Sequence, residues 1–391
     1  MPLRVDTTIP YGNAGDVSVD ESGPMPQVGF AAHPHGGPEA LWFCLRVLRE
    51  GTPAPGSPVR LVLKHALNML GCGADRLGAV RPVIRADGGA WERLALPERV
   101  ETPDGRVSLA WTVPAPAEHL DVAFCYPYGR PEVEELVRGA GGSWRTDVIG
   151  LSQAGRPLLR VSNGTGEPGG RSERPGIYLI ARQHSGETSG SWVLDGFLRH
   201  AASLGESAPL VWAVPLSNID GIEQGDYGKD NFPYDLNRAW GRNPMRHETL
   251  VFQRDMRRFA GRCRPVLAID FHAPGGCEVD GVYCFGSDPY ESLPLNRAAG
   301  AFVLAAREAI GPEYASPDFD RLATYTSRWE TPNFTTHCVS AMNLAAFSVE
   351  ASYQSAPGGR VLTIADYREI GRRMAAGICG RLAETTSPPR R

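Results

Sequence analysis

A small antiparallel β-sandwich followed by a larger α/β unit is the architecture the sequence predicts, and three observations lead to it. From about Arg60 to Tyr128, short apolar runs recur with period two between turn signals; a glycine-rich stretch interrupts them between Pro127 and Trp144. Beyond it, compact apolar runs alternate with longer amphipathic segments. At 391 residues the chain exceeds what one hydrophobic core usually organises, so a division into two is the natural expectation.

The sandwich rests on Leu61 and Leu63, on Val83 before Asp87-Gly88-Gly89, and on Asp104-Gly105 before Val107, Leu109 and Trp111; Leu120, Val122 and Phe124 continue the alternation. Gly129, Pro131 and Gly139-Ala140-Gly141-Gly142 flank a short helical stretch and mark the junction. We therefore expect a first domain over 1–128, a second over 129–385, and a disordered tail over 386–391. In the second domain the buried strands are Ile177 to Ile180, Leu210 to Leu216, Val266 to Phe271 and Leu344 to Val349. One core-facing helix carries Phe252, Met256, Phe259 and Cys263. The last helix carries Tyr367, Ile370, Met374, Ile378 and Leu382, at spacings of three and four.

Composition narrows the function classes. An apolar fraction of 42% and a charged fraction of 21% are ordinary for a folded globular chain. The net charge of -4 and the dispersed Lys and Arg argue against nucleic acid as a partner. No apolar run is long enough to span a bilayer, and Met1 to Asp16 lacks a basic and an apolar leader region, so a cytoplasmic protein with no membrane partner is expected. The eight cysteines are scattered without a C-x-x-C pair, which signals neither a disulfide framework nor a thiolate metal site.

Histidine and glutamate carry the chemistry. His184 and Glu187 lie in Arg182-Gln183-His184-Ser185-Gly186-Glu187, after a strand and before a helix that opens near Thr188. Three residues apart across a turn, both can reach one cation, and imidazole and carboxylate are ordinary zinc ligands at about 2.0–2.2 Å. A catalytic zinc needs three protein ligands and one position for water. His272 closes the strand Val266-Leu267-Ala268-Ile269-Asp270-Phe271-His272. Ligands gather outside the carboxyl ends of strands in open α/β sheets, so His184, Glu187 and His272 are expected in one crevice. A lone H-x-x-E more often marks a helix surface; the second strand-end histidine is what favours a metal site. The other seven histidines, among them His337, lack such context and read as surface or satisfied core residues.

The ordered set His184-x-x-Glu187, Asn218-x-Asp220-Gly221, Asp235-Leu236-Asn237-Arg238, Asp270-Phe271-His272 and Ser348-Val349-Glu350 resembles the zinc metallocarboxypeptidase family, most closely its cytosolic carboxypeptidase branch, over roughly Tyr126 to Glu384. The resemblance implies a mixed-sheet catalytic domain behind a β-sandwich and one zinc ion per chain. It also implies a peptide or protein C-terminus as substrate, with hydrolysis of a C-terminal or side-chain-linked amino acid. Glu350 then matches the general base, for which the alternative is a strand-end surface carboxylate. Arg238 matches the clamp on the substrate's terminal carboxylate, with Asn237 as its hydrogen-bonding neighbour; a planar guanidinium suits a carboxylate because two charge-assisted bonds run in parallel. Asp235 matches the carboxylate that fixes the first ligand histidine, or else it is a turn or capping aspartate.

The pattern breaks at one place. Where the family carries an arginine that stabilises the oxyanion, counting from both flanking motifs gives Gly228, followed by Lys229. Lys229 is expected to supply that charge from the neighbouring position, the alternative being a solvated loop lysine. Tyr325 is the nearest candidate for the family's substrate-covering tyrosine, with packing as its alternative. Arg328 and His337 lie in the same stretch and would favour an acidic terminal side chain if their charges faced the pocket. Two further readings stay open: an aspartoacylase-like N-acyl amino acid deacylase, and a zinc-retaining peptide-binding protein without turnover, which Gly228 permits.

Overall fold

The computed structural model describes residues 3–50, 58–102, 105–167, 173–285, 293–322 and 332–386. Its first third is built from ten strands: β1 (Leu3–Asp6), β2 (Gly15–Asp20), β3 (Gln27–Ala31), β4 (Cys44–Arg49), β5 (Pro58–Leu63), β6 (Val83–Ala86), β7 (Glu92–Arg93), β8 (Glu98–Glu101), β9 (Val107–Pro114) and β10 (His119–Ala123). They sort into two five-stranded sheets, β1-β4-β10-β6-β7 and β2-β3-β5-β9-β8. In β5 the buried residues are Val59, Leu61 and Leu63, each two apart, so one face of the strand supplies the core. Between the sheets Phe30, Phe43 and Phe124 form a chain of aromatic contacts with centroids 5.2 and 5.7 Å apart. The sandwich departs from a purely antiparallel one at β3 and β5, which pair in parallel. The reason is topological: the intervening β4 joins the opposite sheet, so the chain returns to β5 running in the direction of β3.

Helix α1 (Arg130–Gly139) fills the expected junction. Beyond it come β11 (Arg145–Leu151), β12 (Pro157–Ser162), β13 (Pro175–Ala181), α2 (Thr188–Ser203), β14 (Leu210–Val214), α3 (Ile219–Gln224), α4 (His247–Ala260), β15 (Arg264–His272), β16 (Val282–Phe285), α5 (Leu293–Ile310), β17 (Ala315–Arg321), α6 (Phe334–Met342), β18 (Ala345–Ala351) and α7 (Ile364–Thr386). The strands form one eight-stranded mixed sheet, in the order β11-β12-β14-β13-β15-β18-β16-β17. At its centre β13 pairs in parallel with β14 and β15, and β15 with β18, while β12 and β16 flank them in antiparallel pairing. These central strands are apolar without alternation because helices cover both faces.

The amphipathic segments fold as their spacing predicts. Tyr367, Ile370, Met374, Ile378 and Leu382 of α7 are all buried, each such aliphatic side chain contributing about 1.5–3 kcal/mol of transfer free energy. Phe252, Met256 and Phe259 do the same on α4, but Cys263 lies past the helix end, buried in the turn into β15. None of the eight cysteines is in a disulfide. No helix among the described residues is long and apolar enough to cross a membrane.

Helices α2 and α7 cross with their backbones in contact. A methyl group on Gly196 would fall 2.0 Å from Arg368 O, and one on Gly371 would fall 1.9 Å from Val193 O. Gly196→Ala or Gly371→Ala should therefore force the helices apart and cost about 3 kcal/mol, the upper end of the usual overpacking range. Gly380→Ala, at an exposed position with nothing within 4 Å, should instead stabilise by about 0.5–1 kcal/mol. Urea unfolding midpoints of the three variants test the contact.

Candidate active site

The site begins where β13 ends. Arg182 follows Ala181 with φ +64°, turning the chain sharply. Its buried guanidinium folds back, donating from Nε to Ser185 O (2.8 Å) and from Nη1 to Tyr128 O (2.7 Å), with Nη2 also on Ser185 O. That brace sets the turn from which His184 and Glu187 project, and Glu187 sits at the N-cap position of α2. A helix N-terminus favours a carboxylate electrostatically, so this end of α2 suits the glutamate.

His272 arrives from the end of the neighbouring parallel strand. Its Nδ1 lies 2.7 Å from Glu187 Oε2, and His184 Nδ1 lies 2.8 Å from Glu187 Oε1. The two rings stand with centroids 4.8 Å apart. One ligand atom from each of the three residues thus falls within 4.8 Å of the others, and all three side chains are buried. Behind them sits a second layer of acid: His184 Nε2 is 3.3 Å from Asp235 Oδ1, and His272 Nε2 is 2.7 Å from Asp270 Oδ2.

The electrostatics fit a cation at the centre. Burial works against the charged forms, yet the surrounding carboxylates raise both imidazoles above the ordinary histidine range. Glu187 is likewise opposed by burial but held well below the usual carboxylate range by His184 and His272. The surrounding carboxylates thus favour positive charge at this centre. Two nitrogens and one carboxylate, each imidazole backed by a further carboxylate, form a donor set suited to a divalent ion of the zinc type. These residues would hold it.

Asp235 also accepts from Asn237 N (2.7 Å) and Asp230 N (2.9 Å). Although buried, it is held well below the carboxylate range by His184 and Arg238. Asn237 is turned into the same network: its Oδ1 accepts from Gln183 Nε2 (3.1 Å) and Phe334 N (3.0 Å), and its Nδ2 is 3.0 Å from His272 Nε2. Arg238, nearly buried, donates from Nη1 to Asn237 O (2.8 Å).

Glu350 stands directly opposite His272 in the register of β15 and β18. It is half-buried, and its Oε2 is enclosed with no hydrogen-bond partner among the described residues. Burial pushes its carboxyl upward, against the pull of His272, with Glu187 adding to the rise and Lys229 opposing it. Lys229 is itself half-buried and acts on Glu350 by its charge. Gly228 has φ +87°, and a Cβ there would fall 2.4 Å from Ser185 Oγ and 2.5 Å from Ser185 N. This backbone has no room for an arginine at 228.

His337 departs from the idea of a pocket charge. It is buried against Trp240, with Nδ1 3.0 Å from Trp240 O, and burial lowers its basicity, which disfavours a charge there. Tyr325 and Arg328 lie outside the described residues. The sequence motif included Asp270 but gave it no role, although the signal was present: two positions before His272 on one strand, it shares that residue's face. Sequence reasoning passed over Gln183, which donates to Asp270 and accepts from Trp240 Nε1 (2.7 Å). No local pattern marked that residue.

No protein-family model matches the chain. Cytosolic carboxypeptidase 2 of Danio rerio is 27% identical over 272 residues, covering 63% of this chain and 37% of that protein. Cytosolic carboxypeptidase 1 of Mus musculus is 32% identical over 130 residues, 31% of this chain and 10% of the relative. The chain thus spans well under half the length of these relatives. Among solved structures, a metallo-carboxypeptidase from Burkholderia cenocepacia superposes with a TM-score of 0.78 at 18% identity, covering 99% of this chain and 100% of its own. A metallo-carboxypeptidase from Pseudomonas aeruginosa, in complex with (2-guanidinoethylmercapto)succinic acid, gives 0.71 at 20% identity over 97% and 99%. The fold is theirs, and the sequence likeness runs to the cytosolic carboxypeptidases.

Proposed function

We propose that this chain is a zinc-dependent carboxypeptidase that hydrolyses a C-terminal or side-chain-linked amino acid from a peptide or protein. The observation that carries the reading is the convergence of His184, Glu187 and His272 beside Glu350, which faces His272 in register. Zinc bound by those three would supply a Lewis acid that polarises the scissile carbonyl and makes water acidic enough to attack near neutral pH. Glu350 takes the attacking water's proton and later delivers it to the leaving amine. A raised carboxyl pKa suits both halves of that task. Asp235 and Asp270 hold the two imidazoles by their outer nitrogens and keep the inner ones directed at the ion.

Arg238 receives the substrate's terminal carboxylate. Asn237, engaged with Gln183, Phe334 and His272, fixes the wall beside it. Lys229 takes the place of the arginine that Gly228 excludes, and its ammonium balances the charge that develops on the carbonyl oxygen. A zinc-retaining binder without turnover is favoured only by the bare Gly228, and Lys229 beside Glu350 weighs against it.

Metal, substrate and variant measurements test the assignment. Elemental analysis of the purified chain should find one zinc per chain in the parent and little in His272→Ala. Chelation should abolish release of amino acids from a pool of short synthetic peptides differing only at their C-termini, followed by mass spectrometry. N-acyl amino acids offered in parallel should be left intact, and their cleavage in place of the peptides would make the protein a deacylase. Glu350→Gln should keep its zinc yet lose on the order of 10²–10⁴ in kcat. Lys229→Ala should lower kcat about 10²-fold, the usual size of a lost oxyanion partner; a loss under about threefold would remove Lys229 from the mechanism.

A further inference from the structure

The N-terminal sandwich packs against a loop beside the site. Residues 225–232 follow α3 and carry Gly228 and Lys229. On the metal side, Ser185 Oγ donates to Asp226 O (3.0 Å), Gly186 N to Tyr227 O (2.8 Å), and Asp230 N to Asp235 Oδ2 (2.9 Å). On the other side, the partners come from the sandwich. Asn13, buried between β1 and β2, donates from Nδ2 to Gly225 O (2.7 Å) and His33 O (2.9 Å), while its Oδ1 accepts from His33 N (3.0 Å). His35 Nδ1 lies 3.1 Å from Gln224 O and 3.4 Å from Asp226 Oδ1. Phe232 N donates to Gly36 O (2.9 Å), and a Cβ on Gly37 would fall 2.2 Å from Asn231 Oδ1.

This bracing answers a physical need. A lysine's four-carbon stem carries a compact ammonium with no built-in direction, so its position depends on where the backbone is held. Here that backbone follows Gly228, whose left-handed conformation lends no stiffness of its own. A buried side-chain amide with three bonds spanning two segments of the sandwich and one of the catalytic unit is the kind of fully satisfied network that specifies geometry.

We propose that Asn13 and the loop 33–37 are positioning residues for the reaction, clamping loop 225–232 so that Lys229 is held at Glu350. The clamp's kinetic consequence rests on the reading of Lys229 given above. Its test uses the full chain with Asn13→Ala and, because removing a buried amide can cost folding, also Gly37→Ala, which pushes on Asn231 without deleting a hydrogen bond. Hydrogen–deuterium exchange should quicken at the amides of 225–232 in both variants while α2 and β15 keep their protection. With the synthetic peptide pool, kcat should fall about tenfold or more with KM little changed, as expected for a misplaced catalytic group. Neither change should lower kcat further in a Lys229→Ala background. Unaltered exchange at 225–232, or a kcat loss undiminished in that background, overturns the proposal. A Lys229→Ala chain that keeps kcat within about threefold sinks the reading of Lys229 and not the clamp, which the exchange data decide alone.

Discussion

Parallel pairing of β13, β15 and β18 is the constraint on which the site depends. Three adjacent strands running in one direction deliver their carboxyl ends to one edge of the sheet, and the register between β15 and β18 sets His272 opposite Glu350. A shift of one residue in either pairing would turn these side chains to the other face, since strand side chains alternate. The apolar side chains of the central strands and the helices packed on both faces prevent that shift. The burial that stabilises the fold is thus also what holds His272 and Glu350 in mutual register.

Around that edge the site is a layered charge arrangement. Glu187 is shared between two imidazoles, and each imidazole is backed by its own carboxylate, Asp270 or Asp235. Such a group is costly to bury unless each charge is paired. Gln183, Asn237 and Trp240 complete the pairing with directed hydrogen bonds, so imidazole orientation is inherited from a network anchored on several elements. The turn that launches it depends on Arg182, whose guanidinium holds Ser185 and Tyr128 together.

Gly228 connects a break in the carboxypeptidase resemblance to the chain's architecture. The loop passes so close to the turn of Ser185 that no side chain fits at 228. The adjacent lysine then sits on a loop held on one flank by the metal turn and on the other by the sandwich. The two halves of the chain also share one continuous buried core, in which Phe124 of the first meets Tyr353 of the second at 4.9 Å. In that sense the sandwich is part of the site's framework.

Much of this was legible in the residues alone. Period-two runs marked the sandwich strands from Arg60 onward, and compact apolar runs marked β13, β14, β15 and β18. H-x-x-E after a strand together with a strand-end histidine marked His184, Glu187 and His272, because these signals are local and a strand or a turn needs only its own neighbours to form. The parallel pairing of β3 with β5 was not legible, since it depends on which sheet β4 joins. Nor were Gln183 and Asn13: their partners lie far along the chain, 212 positions away for Asn13 and Gly225, and a single polar residue carries no periodic trace of such a contact. By itself, then, the sequence determined the element types and singled out His184, Glu187, His272 and Glu350 as a set, which follow from short-range pattern. Only the tertiary structure decided how those groups are backed, why position 228 must be bare and what steadies the loop beside it, because each of these is settled by close approach between segments that sequence order keeps apart.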